Sequence, residues 1–244
     1  MTKEAEPGAA GPTADRGVCA LTFDSEIMHP QYREWLEFVF AHEVSDPQWY
    51  FDIEAPSFVS TEQDVVEMIR ETFTRSGEDL KQYSDGQVNQ GIWFLASPSG
   101  SNSMFSIRDG KVPLSAKVAA IHSIYDLYRG CFAGRCAEVL GHIDEPGGSD
   151  LNPICYMFWD VCPISYLDDS KDTGELEDAI FSVLSDTIRI PHRACIEGGL
   201  HGLGEVAYRY EAQVRKIIDD FLATAKIDDT LRGYAERARE GAIL

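Results

Sequence analysis

Long apolar runs are missing from this chain. None of its 244 residues belongs to a stretch of the ~18 consecutive apolar residues that a membrane-spanning helix needs. Residues 1–17 (MTKEAEPGAAGPTADRG) hold no apolar core of the kind found in a secretory signal. The expectation is a soluble, cytoplasmic protein without a membrane partner. Basic residues are also scarce: 21 Lys and Arg stand against 41 Asp and Glu, a net charge of −20. A field of that sign repels phosphate backbones, which argues against nucleic acid as a partner, and it attracts basic proteins. Signatures of catalysis are lacking too. There is no H-E-x-x-H, no G-x-S-x-G and no glycine loop between a strand and a helix.

Cysteine is present but poorly spaced for metal. The six lie at 19, 131, 136, 155, 162 and 195. A cytosolic chain is not expected to oxidise them, and buried free cysteine behaves as a small hydrophobe. A zinc site would have to combine Cys131, Cys136, His142, Cys155 and Cys162, and only the first two approach the spacing of a zinc knuckle. A calcium loop beginning at Asp168 fails as well, because Thr173 and Ala179 replace its obligatory glycine and glutamate. The expectation is no metal and no cofactor.

What the chain does have is helical periodicity. With 44% hydrophobic and 11% aromatic residues it has the composition of a folded protein. Residues 1–17 read as a disordered tail, and 18–244 as one all-α domain. A helix over 30–41 starts at a proline and places Trp35, Phe38 and Val39 on one face. The segment DPQWYFDIEAPSF reads as an ordered loop packed by Trp49, Tyr50 and Phe51. Ser60 and Gln63 fit a capping box for the helix that carries Val65, Val66, Met68, Ile69 and Phe73. Ser84 or Asp85 caps the next, which SPSGSNS interrupts at 97–103. MFSIRDGKVPL reads as a short extended piece, Ser115–Tyr128 as a helix with His122 in the core, and NPICYMFWDV as a buried helix ended by Pro163.

From Asp172 or Thr173 an amphipathic helix follows, with Leu176, Ile180, Val183, Leu184 and Ile188 in one stripe. Three short helices then run from Pro191 to the end, the last capped by Asp228 or Asp229 and closed by Gly241. Helix pairs would thus start near residues 61, 115, 173 and 209, an irregular interval. Stacked helical hairpins of the α-solenoid kind fit this pattern, and a globular multi-helix bundle is the alternative.

Three groups of residues are candidates for function. Asp168, Asp169, Asp172, Glu175, Glu177 and Asp178 are the densest charge and suit docking of a basic protein. Glu197 and His201, four apart on one helical face, form with Asp160 an alternative polar site, either an acid–base pair or hydrogen bonds between helices. Gly198, Gly199, Gly202 and Gly204 each cost a helix about 1 kcal/mol relative to alanine. They are expected to mark the close approach of other helices.

The run Ala194-Cys-Ile-Glu-Gly-Gly-Leu-His-Gly-Leu-Gly204, followed by Ile218-Asp219, Phe221-Leu222, Leu231-Arg232 and Tyr234-Ala235, resembles the closing helices of uncharacterised bacterial α-helical proteins of HEAT-repeat type. The resemblance covers roughly the C-terminal 50 residues. It implies a superhelical scaffold and transfers no catalytic residue. The expected function is therefore a non-catalytic protein–protein interaction scaffold, of immunity or regulatory type, that binds a basic partner. A hydrolase-like enzyme working near Asp160, Glu197 and His201 is the alternative.

Overall fold

The computed structural model describes residues 28–166 and 173–243, and the expected tail at 1–17 lies outside them. Among the described residues every regular element is helical. In chain order these are α1 (Tyr32–Phe40), α2 (Glu62–Thr74), α3 (Ser76–Asp79), α4 (Asp85–Ala96), α5 (Ser103–Arg108), α6 (Leu114–Leu127), α7 (Ala133–Arg135), α8 (Asn152–Val161), α9 (Thr173–Thr187), α10 (Arg193–Leu222) and α11 (Asp229–Arg239). None of these helices is long and apolar enough to cross a membrane.

Local chemistry accounts for most boundaries. Ser84 caps α4: its hydroxyl accepts from the Gln87 amide while the Gln87 side chain accepts from the Ser84 amide. Asp228 caps α11 by accepting from Leu231 N–H at 3.0 Å, and Gly241 at φ +70° ends it in the left-handed conformation that favours glycine. The cap of α2 lies one residue beyond the expected Ser60–Gln63 box. Thr61 and Asp64 make the reciprocal bonds instead. Asp64 is the better anchor because His29 Nε2 also reaches it, at 3.1 Å.

One further expectation is corrected. MFSIR is not extended but forms α5, because Met104 and Ile107 are three apart and both enter the core. The three helices expected after Pro191 are present, the first two running on from one another as the two limbs of α10 and the third being α11. No proline or loop interrupts α10, but it leaves helical geometry at Tyr210 (φ −124°, ψ 38°). There the Tyr210 hydroxyl donates to Glu177 of α9 and its ring stands edge-on to Phe181, so α9 holds the chain at the kink.

Buried apolar side chains from Tyr32 to Ile243 form one continuous cluster. The stripe of α9 is buried as its period predicts, and so are Leu231, Tyr234, Ala235 and Ala238 of α11. His122, expected in the core, is exposed on α6, since its neighbours Ile121, Ser123 and Ile124 occupy the inner face. α10 is the hub: it packs against α8, α9 and α11. Its glycines show how. A Cβ on Gly198 would sit 2.4 Å from the Cys155 carbonyl of α8, and one on Gly202 would sit 2.6 Å from the Trp159 ring. Gly199 meets Thr187 and Ile188 at the end of α9, and Gly204 meets Ile243. The glycines thus admit three neighbours from different directions.

Candidate functional site: a buried polar network on α10 and an aromatic groove

Glu197 and His201 share a face of α10, yet each is bound by a different part of the chain. Glu197 is 1% exposed, and a carboxylate so placed needs partners for both oxygens. The loop after α7 supplies them. Gly141 N–H donates to Oε2 at 2.7 Å, His142 N–H donates to Oε1 at 3.0 Å, and His142 Nδ1 lies 2.5 Å from Oε1. The His142 ring in turn stacks on Tyr234 of α11, centroids 4.2 Å apart. Glu197 therefore ties α10 to a loop that has no regular structure of its own beyond the single turn Gly141–Ile143.

One turn further along, His201 Nδ1 lies 2.7 Å from the Tyr234 hydroxyl. That hydroxyl donates onward to Tyr156 of α8 at 3.3 Å. Tyr234 Oη and His201 Nδ1 share one hydrogen bond, and when Nδ1 is its donor the ring's lone pair lies on Nε2. His201 Nε2 is buried without a hydrogen-bond partner. Burial holds the imidazole below its ordinary pKa of 6.5, with Asp160 and Glu197 opposing more weakly, so the ring is neutral at pH 7.

Asp160 of α8 and Glu205 of α10 are the acids nearest to that lone pair. One ligand atom from each of Asp160, His201 and Glu205 lies within 4.8 Å of the others. Both carboxylates are half-buried, whereas His201 is only 6% exposed. Tyr166 donates its hydroxyl to Glu205 Oε2 at 2.9 Å and fixes that side chain, and burial followed by the neighbouring Glu205 raises the Tyr166 pKa, keeping it a donor. Of the three residues in the expected polar site, the fold brings Asp160 and His201 together and commits Glu197 to the loop. Glu205 was missed. The available signal was its position four residues after His201, on the same helical face.

The acidic cluster is divided. Asp168, Asp169 and Asp172 lie outside the described residues. Glu175 and Asp178 are exposed on α9, while Glu177 turns inward to accept from Tyr210.

A second feature lies at the other end of the chain. Trp35, Phe38, Trp49, Tyr50, Phe58 and Phe94 wall a groove of about 470 Å³. Trp49 stacks face to face on His42 at 3.8 Å and leans on Phe94 at 4.9 Å, which keeps the groove's wall rigid. The Trp49 indole N–H is buried and donates to no protein atom. The loop that carries Trp49 exposes Phe51, Ile53 and Val59; Ile53 is 98% exposed. Aromatic density in DPQWYFDIEAPSF was the sequence signal, and its expected role in packing holds for Trp49 and Tyr50 but not for Phe51.

Comparison with protein-family models, curated proteins and solved structures gives no match. The resemblance to HEAT-type closing helices accordingly rests on the residues that suggested it.

The cysteines do not assemble the zinc site considered above. Cys131, Cys136, Cys155, Cys162 and Cys195 are all free and buried. His142 is held by Glu197, and the Cys155 and Cys195 thiols point at the carbonyls of Ala194 and Tyr128. Burial pushes Cys131 and Cys162 up to about 12. The hydrogen bond with Cys155 and then that with His192 lower Cys195 to about 7, so for that thiol burial rather than protonation keeps disulfide reagents away. In a Cys19→Ser variant, Ellman's reagent should therefore find no fast-reacting thiol until denaturant is added. A thiol that reacts quantitatively in the native protein would show that the core opens around it.

Proposed function

We propose that this chain is a non-catalytic protein-binding scaffold, built of stacked helix pairs in the manner of an α-solenoid, which docks a basic partner. The aromatic groove carries the reading. Contiguous exposed apolar surface beside a concave aromatic pocket is the usual mark of an interaction site. Aromatic faces are negative and attract Lys or Arg side chains. The net charge of −20 adds long-range attraction for the same partners. Exposed Glu175 and Asp178, together with Asp168, Asp169 and Asp172, add charge that speeds encounter more than it strengthens the final contact.

The hydrolase-like alternative retains Asp160 and His201 side by side. It is less well supported, because both Glu197 oxygens are occupied by the 141–142 loop.

The test uses a defined probe, a peptide of alternating Arg and Leu. It should quench or shift tryptophan emission on titration, with affinity falling as salt rises through the range where the Debye length drops below about 10 Å. Trp49→Ala and Phe58→Ala should each weaken binding by about 1–3 kcal/mol, the usual cost of removing an aromatic anchor. A peptide of alternating Glu and Leu should not bind. Equal binding of the two peptides, or indifference to Trp49→Ala, would sink the groove as the docking site.

A further inference from the structure

Asp160, His201 and Glu205 converge on a point where His201 presents a buried, partnerless nitrogen. We infer that these three residues form a binding site for one divalent transition-metal ion of the zinc class. The site shares no residue with the aromatic groove and does not depend on the scaffold reading.

A buried imidazole nitrogen without a partner forfeits a hydrogen bond that water would otherwise supply. Two carboxylates stand beside it, yet neither can satisfy a lone pair, since ionised carboxylates accept and do not donate. Glu205 Oε1 is 3.9 Å from Nε2, beyond hydrogen-bonding range. A cation resolves both problems: it accepts the nitrogen lone pair and neutralises the two acids. Of the two neutral tautomers, the one with its proton on Nδ1, shared with Tyr234, leaves Nε2 free to bind a metal. Metal-binding histidines are commonly oriented by such an outer hydrogen bond. Tyr166 plays the same part for Glu205.

The donor set names the class of ion. One imidazole and two carboxylates suit zinc, manganese or iron, whereas copper(I) prefers sulfur and calcium prefers an all-oxygen shell of six to eight ligands. Ligand atoms in a tetrahedral zinc shell are about 3.4 Å apart at bond lengths of ~2.0–2.1 Å. The present separations, 3.9 Å from Glu205 Oε1 to Nε2 and none above 4.8 Å, require the ligand atoms to close by about 0.5–1.4 Å. Half-exposure of Asp160 and Glu205 gives them that freedom and gives the ion a way in. Three protein ligands leave one position of the shell for water. Because Asp160 comes from α8 and the others from α10, bound metal would clamp the two helices together.

The experiment uses the full chain after treatment with a chelator. Cobalt(II) chloride, titrated as a spectroscopic substitute for zinc, should give visible d–d bands that saturate at one equivalent. Zinc chloride should compete with it and raise the melting temperature, since it binds only the folded form. Asp160→Asn and Glu205→Gln keep shape and remove charge; each should weaken cobalt binding at least about tenfold, in line with the cost of disturbing a metal site. Both variants should melt within a few degrees of the metal-free parent, so that lost binding is not lost folding. Glu175→Gln with Asp178→Asn should bind as the parent does. The inference fails if no saturable cobalt spectrum appears, if the Asp160 and Glu205 variants bind like the parent, or if calcium competes as well as zinc.

Discussion

Glu197→Ala should destabilise the protein by about 3–5 kcal/mol, since each buried donor left without its acceptor costs about 1–3 kcal/mol. Three donors lose their acceptor at once: the amides of Gly141 and His142 and the His142 ring. His142 is 7% exposed at its side chain, so water is a poor substitute. The loss should reach α11 as well, because the same His142 ring stacks on Tyr234, whose hydroxyl holds His201. For a domain of this size the melting temperature should fall by roughly 6–20 °C. Chemical denaturation monitored by circular dichroism measures the change. Glu197→Gln keeps one acceptor oxygen but turns an NH₂ group toward donors, and should fall between the parent and Glu197→Ala. A loss below about 1 kcal/mol for Glu197→Ala, the size of one ordinary hydrogen bond, would mean that the 141–142 loop is not anchored through this carboxylate.

The second large effect concerns α10 and its glycines. Replacing glycine by alanine inside a helix normally stabilises it by about 1 kcal/mol. Gly198→Ala should do the reverse. Its new methyl group would meet a backbone carbonyl at 2.4 Å, and backbone cannot swing aside as a side chain can. α8 and α10 would have to separate, at a cost of about 1–3 kcal/mol or more beyond the lost helical gain. Gly202→Ala faces Trp159 at 2.6 Å and Leu184 at 2.7 Å, both fully buried, and should be similarly harmful. Gly233 in α11 provides the contrast. A Cβ there meets nothing within 4 Å, so Gly233→Ala should stabilise by about 0.5–1 kcal/mol. Thermal melts of the three variants decide the matter, and the sign is the informative quantity. Stabilisation by Gly198→Ala would show that the two helices are not held at this distance.

Where the two largest effects arise also shows what could be read from the chain. Glycine in a helix is costly, and that cost alone pointed to close neighbours for Gly198, Gly199, Gly202 and Gly204. Which neighbours they were did not follow. Cys155 and Ile243 lie 43 and 39 residues away from the glycines they touch, and α9 enters from yet another side. Polar pairing was less legible still. Glu197 and His201 are four residues apart and face the same way, which made them look like a couple. The fold separates them because a loop 55 residues upstream has amides to satisfy, and a buried carboxylate gains more from three donors than from one imidazole.

The sequence by itself determined the all-helical character, the ends of α4 and α11 and the buried stripes of α9 and α11. These depend on interactions within a few residues: a side chain capping its own helix, or a period of 3.6 that gathers apolar groups on one face. The tertiary structure alone decided that 103–108 coils instead of extending, that aromatic side chains from four segments wall one groove, and that Asp160 and Glu205 stand beside His201. Each is a meeting of segments distant in the chain. Local periodicity fixes which face of a helix leaves water, but the identity of what covers that face depends on how all the helices share one core.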